Sequence, residues 1–110
     1  MQVEYRLELM AEPKLLEMAR TATTVLEGAI GESAKRALVT WGLRRDELRR
    51  TTVLLTIADW SEEVTAVFTP EELQQLDDVR WRSYRIWGDL LQQASRRQIE
   101  KLEASFALDE

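Results

Sequence analysis

The chain has 110 residues, with 45% apolar and 32% charged residues, which is the size and composition of one ordinary globular domain. It contains no cysteine and no histidine, which excludes disulfides, thiolate zinc sites and imidazole as a general base, metal ligand or pH switch. With no calcium-loop spacing, glycine-rich phosphate loop or nucleophile elbow in the sequence, we expect a non-catalytic protein without cofactor or metal.

The formal net charge of −5 is unevenly distributed along the chain. Residues 51–78 hold seven acidic and no basic groups, whereas residues 79–101 hold six basic and two acidic ones. Such blocks can pair within a fold or between subunits, and we expect the fold to interleave them as solvated faces. The opening residues 1–4 lack the basic lead and apolar core of a signal peptide, and no apolar run is long enough for a bilayer; this favours a cytoplasmic location without membrane contact.

A strand and a helix are predicted in the N-terminal part. Apolar and polar residues alternate strictly at its start, which predicts a strand over about residues 2–10 with one buried face. Pro13 suits the first turn of a helix, and the apolar residues after it predict a helix over about 13–28. Gly28 and Gly31 indicate that this helix ends or bends there.

A second helical piece is predicted over residues 32–41. Ala34, Ala37 and Trp41 would share one face of it, and Gly42 is suited to end it. The spacing of these residues is that of the buried face of a short amphipathic helix.

The middle of the chain predicts a β-hairpin. Residues 51–58 are rich in β-branched side chains, and residues 63–68 alternate between apolar and polar. A loop of about four residues would join the two strands. The alternative reading, a helix over 44–58 with Ser61 capping another short helix, stays open. The predicted fold is therefore α+β, one domain over residues 1–110 with a three-stranded antiparallel or mixed sheet and helices packed on one face.

The C-terminal third predicts one long helix, over about residues 70–106. Thr69 can serve as its N-cap, Pro70 suits the first helical position, and Glu72 can complete a capping box. Such a helix would be about 55 Å long, whereas a compact domain of this length has a radius of gyration of about 13 Å. We therefore expect the helix to break at Gly88 or its end to project from about residue 88.

Apolar side chains cover more than half of the circumference of this helix, which is wider than packing on one sheet requires. The excess predicts a homodimer with two-fold symmetry that pairs or swaps this segment, and a surface for a further protein partner. Buried aromatics would anchor the contact, and rim charges would set its register. The predicted interface residues are Trp81, Trp87, Leu91, Ile99, Leu102 and Phe106.

Two other functions stay open. A pocket lined by Trp60, Trp41 and Tyr84, with Arg80 nearby, would bind a small cationic or aromatic ligand. Arginines beside aromatics would bind nucleic acid by phosphate contacts and stacking, although the acidic net charge opposes this and we do not expect a nucleic-acid partner. The arginines concerned are Arg44, Arg45, Arg49, Arg50, Arg82 and Arg85.

Overall fold

The computed structural model describes residues 1–108 and has the predicted α+β architecture. The elements in chain order are β1 (Gln2–Tyr5), α1 (Leu7–Met10), α2 (Pro13–Ile30), β2 (Leu38–Arg45), β3 (Thr51–Asp59), β4 (Glu62–Phe68), α3 (Pro70–Gln74) and α4 (Leu76–Leu108). The strands form one mixed sheet in the order β1-β2-β3-β4, in which β1 runs parallel to β2 and the other neighbours are antiparallel. The sheet therefore has four strands where the sequence predicted three.

The additional strand is β2, and the helix predicted over residues 32–41 is wrong. Residues 31–36 form turns, and Ala34 and Ala37 are buried just before the strand begins. Within β2, Val39 and Trp41 are fully buried and alternate with more exposed neighbours. Because β2 lies between β1 and β3, it forms hydrogen-bond ladders along both edges, and this pairing outweighs the helical preference of the alanines before it.

The N-terminal strand ends at Tyr5 and does not continue to residue 10. The Arg6 N–H donates to the Trp41 carbonyl at 2.8 Å, and the chain then turns into α1. This turn buries Leu9 completely and leaves Leu7 exposed. The apolar residue at position 9 fits the strand pattern, but a single helical turn buries it equally well. The helix predicted from residue 13, which is α2, continues through Gly28 and ends at Ile30, two residues later than predicted.

One face of the sheet carries the core, and α2 and α4 pack together over it. The side chains on this face are fully buried; they are Val39, Trp41, Val53, Leu55, Ile57 and Phe68. Val64 and Ala66 of β4 pack on the same side, as the alternation over 63–68 predicted. The opposite face carries Thr40, Thr56 and Thr65 and remains partly open. The helices therefore cover one face, as expected for this class.

The predicted β-hairpin is confirmed, with a shorter loop than expected. Asp59 pairs with Glu62, so that Trp60 and Ser61 alone connect β3 to β4. The alternative of a helix over 44–58 is wrong, because β2 continues to Arg45 and β3 begins at Thr51.

The predicted capping box at the start of the C-terminal helices is confirmed. The Glu72 N–H donates to the Thr69 hydroxyl at 3.1 Å, and the Thr69 N–H donates to the Glu72 carboxylate at 2.9 Å. The chain then breaks its helix at Gln75, not at Gly88, so that α3 is short and α4 runs unbroken for 33 residues. At 1.5 Å per residue α4 is about 50 Å long, and the molecule's longest dimension is 58 Å.

Two arginines tie α4 to the rest of the fold. The Arg82 guanidinium donates to the Glu72 carboxylate at 3.0 Å and to the Val67 carbonyl at 2.6 Å, and it lies 3.8 Å from the centre of the Phe68 ring. Further along, the Arg97 guanidinium lies 2.9 Å from the Glu62 carboxylate at the hairpin. These contacts join the acidic block 51–78 to the basic block 79–101, so part of the uneven charge is paired within the fold, whereas we expected solvated faces without such pairing.

We expect acid to weaken the junction between α3 and α4. The hydrogen bond from the Thr69 N–H, with the nearby Arg82 guanidinium, holds the pKa of Glu72 below its ordinary value of 4.5. A carboxylate with a lowered folded-state pKa contributes stability above its unfolded-state pKa and loses that contribution as the pH falls through the folded-state pKa. Glu72→Gln keeps an acceptor for the cap and removes the charge, so it should cost about 1 kcal/mol or less at pH 7, since the side chain is partly exposed.

Urea unfolding of both proteins at pH 7 and pH 3 measures this effect. The difference in free energy of unfolding between wild type and Glu72→Gln should shrink at the lower pH. A difference of the same size at both pH values would contradict the role assigned to the Glu72 charge.

Candidate functional site

Helix α4 carries two separate apolar stripes. One is buried against the sheet and α2 and consists of Val79, Ser83, Ile86, Trp87 and Leu90. At about 100° per residue, the second stripe lies about 130° around the helix axis from the first. We call it the outer stripe, and it consists of Trp81, Tyr84, Gly88, Leu91, Ser95, Ile99, Leu102 and Phe106, all of them exposed.

The outer stripe is exposed along its whole length. Trp81 near its start is 72% exposed, and Phe106 at its end is 71% exposed. Among the described residues, Arg97 is the last in α4 with a hydrogen bond or ion pair to the hairpin, and residues 98–106 are all exposed. The projecting part of the helix therefore begins near residue 98 and not near residue 88. The large apolar residues between 98 and 106 belong to the outer stripe and not to the buried one.

The residues of the outer stripe are spaced three and four apart in alternation, which is the pattern of helices that pack along one another. One step departs from it, the four-residue interval from Ser95 to Ile99, a local irregularity that coiled coils accommodate by unwinding. The stripe extends over about 38 Å of helix. An exposed apolar surface of this extent on a single chain is typical of an interaction site.

Five of the six predicted interface residues lie on the outer stripe. The sixth, Trp87, is on the buried stripe and is 6% exposed, so it belongs to the core. Tyr84, which the sequence suggested for a ligand pocket, lies on the outer stripe with its ring centre 6.3 Å from that of Trp81. Gly88 and Ser95 were missed because they are not apolar side chains. The alternating three- and four-residue spacing would have identified them.

The four residues suggested for a ligand pocket do not converge. Trp41 is fully buried, with its ring centre 6.2 Å from that of Phe68. Trp60 lies in the hairpin loop, Tyr84 lies on the outer stripe, and the Arg80 guanidinium donates to a carboxylate one turn away at 3.2 Å. An aromatic pocket built from these four residues is therefore not formed in this structure.

Several arginines suggested for nucleic-acid binding are in ion pairs. Arg45 pairs with Glu12 at 2.9 Å, and Arg50 pairs with Asp46 at 3.1 Å. The Arg50 N–H also donates to the Asp46 carboxylate, and this hydrogen bond lowers the pKa of Asp46. With Arg82 held by its own partners, half of the proposed basic surface is already occupied, whereas phosphate binding needs free positive charge.

Other kinds of site find no support in the described residues. Within residues 1–108 no group of three or more acidic side chains is arranged to hold a metal ion. The pKa shifts of Asp46 and Glu72 arise from local hydrogen bonds at a turn and a helix cap, and structural contacts of this kind shift pKa values without catalysis. No helix in this part of the chain has an apolar stretch long enough to cross a membrane.

Comparison with known proteins provides no evidence about the function of this chain. No protein-family model, no curated protein and no solved structure matches the chain. The class of protein is therefore defined by its own geometry: a small α+β domain that presents an apolar stripe on a long, partly projecting helix.

The hairpin loop holds a second unusual feature. Trp60 and Ser61 have φ angles of 56° and 62°, the left-handed conformation that a type I′ hairpin loop requires at both residues and that glycine and asparagine adopt most readily. The Asp59 carboxylate accepts a hydrogen bond from the Trp60 N–H at 2.7 Å, and Arg97 donates to the Ser61 carbonyl at 3.3 Å. Trp60 is 58% exposed, so the packing of its ring offsets little of the backbone strain.

We expect Trp60→Asn combined with Ser61→Gly to stabilise the fold. Both replacements suit the left-handed conformation, and the free energy of unfolding should rise by about 1–2 kcal/mol. Urea denaturation followed by circular dichroism measures the change. Ser61→Ala is the matched control, because alanine keeps the Cβ atom and should bring no gain. An unchanged or lower stability of the double variant would mean that the Trp60 ring contributes more than its exposure indicates.

Proposed function

We propose that this protein is a non-catalytic interaction module that forms a homodimer through the outer stripe of α4 and binds further protein by the same helix. We expect it to act in the cytoplasm. The observation that supports the proposal is an exposed row of large apolar side chains on a helix whose other stripe is already buried.

The chain has no means of covering the outer stripe with its own described residues. The sheet and α2 lie against the buried stripe, and the contacts of Arg82 and Arg97 hold the helix in that orientation. Residues 98–106 extend beyond these contacts and have exposed side chains. The apolar surface can therefore be removed from water by a second molecule, and such removal is the main driving force of protein association.

A second copy of the same chain is the simplest occupant. It presents the same row of side chains, and two-fold symmetry lets one surface cover itself, which accounts for the prevalence of symmetric dimers. The two aromatic residues near the start of the stripe and Phe106 at its end provide large anchors of the kind that dominate binding energy. Charged residues border the stripe, as they do at the rims of interfaces.

We predict that Leu102→Asp dissociates the dimer and leaves the fold intact. Leu102 is exposed on the projecting part of α4, so a carboxylate there costs little in the monomer. At the interface the carboxylate would be buried without a hydrogen-bond donor or a positive charge to pair with. Light scattering at micromolar concentration should give the mass of two chains for the wild type and of one for the variant, with the same far-ultraviolet circular dichroism per residue.

Gln93→Asp is the matched control for this experiment. Gln93 is exposed on the side of α4 away from the outer stripe, so the same new charge should leave the dimer unchanged. A wild-type mass equal to one chain at micromolar concentration would contradict the proposed homodimer.

A further inference from the structure

The outer stripe contains both large and small residues, and how well they pack against a second copy depends on whether the two helices run parallel or antiparallel. Gly88 and Ser95 present almost no side chain, and each is flanked by large residues. In a parallel dimer every position of the stripe meets its own copy, as in parallel coiled coils. Gly88 would then meet Gly88 and Ser95 would meet Ser95, which leaves two underpacked layers in an interface of only eight positions.

An antiparallel dimer removes both defects. A two-fold axis that crosses the helices between residues 93 and 94 sets each small residue against a large one. It brings Gly88 against Ile99 of the second copy, and Ser95 against Leu91. The same register sets Tyr84 against Leu102 and Trp81 against Phe106. Close packing of this kind contributes more dispersion energy than paired gaps do.

The charges along one border of the outer stripe select the same direction. This border carries Arg85, Asp89, Arg96 and Glu103. All four are exposed, and within residues 1–108 none of them makes an ion pair in the single chain. In an antiparallel pair related by a two-fold axis, this border of one helix meets the same border of the other.

The antiparallel register makes these charges complementary. Arg85 of one copy lies beside Glu103 of the other, and Asp89 lies beside Arg96. The two-fold axis repeats each pairing. In a parallel pair the same border would meet the opposite border of the second helix, where Arg80 would bring a like charge beside Arg85.

We infer that a second copy of this chain docks antiparallel on the outer stripe, with Gly88 against Ile99 and Arg85 beside Glu103. This inference rests on the proposed homodimer and specifies its direction and register. In this arrangement the projecting residues 98–106 of each chain lie along the first half of the other chain's α4, over Trp81 and Tyr84. The interface is then complete only when both projecting ends are present.

Engineered cysteines test the direction of the helices, because the native chain has none. Gly88→Cys and Ile99→Cys, prepared separately and mixed, should form a disulfide-linked heterodimer on mild oxidation. A Cβ atom at Gly88 meets nothing within 4 Å in the single chain, so that replacement fits. Ile99→Cys alone should not cross-link, because the two copies of this residue would lie about 17 Å apart along the helices, whereas a disulfide needs Cα atoms within about 7 Å. Gln93→Cys, on the far side of α4, is the control that should not cross-link.

The outcomes separate the inference from the proposal on which it rests. Cross-linking of Ile99→Cys with itself would establish a parallel dimer and overturn the inference, while the homodimer would stand. A dimeric mass by light scattering with no cross-link in the Gly88→Cys and Ile99→Cys mixture would also overturn it. A wild-type mass of one chain would overturn the proposed homodimer itself.

Charge reversal tests the register independently. Arg85→Glu places like charges at both ends of the interface and should raise the dissociation constant about tenfold. Adding Glu103→Arg to the same chain restores opposite charges across the antiparallel interface and should recover most of the affinity. Sedimentation equilibrium measures both constants. A double variant that binds as weakly as the single variant, or more weakly, would overturn the assigned register.

Discussion

A straight helix can press only one side against a single sheet, and α4 continues without a break from Leu76 to Leu108. Its buried stripe therefore determines where every other side chain of the helix points. Arg82 near the start of the helix and Arg97 near its middle hold this orientation by contacts on the β4 side of the molecule. A rotation that buried Trp81 would break both sets of contacts and expose Trp87 and Leu90. The exposure of the outer stripe is thus a consequence of how the core is built.

This arrangement has a thermodynamic advantage for association. Binding through a flexible segment requires that the segment be ordered first, and that ordering reduces the affinity. Helix α4 is already formed in the single chain, it is held by two arginines, and its apolar side chains stand on a continuous helical backbone. The remaining ordering cost at the interface is mainly that of the side chains, and the aromatic ones have few rotatable bonds. A modest apolar surface can then be sufficient for a stable contact.

Local signals in the sequence predicted those elements that depend on short-range chemistry. The hairpin strands follow from β-branched residues and alternation, and the start of α3 follows from the Thr69 and Glu72 side chains. Strand β2 was missed because Ala34, Ala37 and Trp41 are spaced as on a helix, whereas its strand conformation depends on two neighbours distant in sequence. Strand pairing between distant segments cannot be inferred from the spacing of apolar residues within one segment.

The candidate site was predictable in extent but not in detail. The width of the apolar arc on α4 indicated more surface than one sheet could cover. The division of this arc into two stripes depends on where α2 and the sheet lie. That placement cannot be derived from the residues of α4 alone. For this reason Trp81 and Trp87, six residues apart, were assigned to one interface although only Trp81 is exposed. The break at Gln75 was missed because it contains neither glycine nor proline.

The hydrogen bond from Arg82 to the Val67 carbonyl has a consequence for solubility. Among residues 1–108, no strand neighbours β4 on its outer side, and such edges readily recruit strands from other chains into aggregates. Arg82 occupies a backbone acceptor of this strand at 2.6 Å and covers the Phe68 ring beside it, while Glu62 and Glu63 add charge at the strand's start. These groups make the β4 edge of the sheet less accessible to strands of other chains, while the outer stripe of α4 stays exposed.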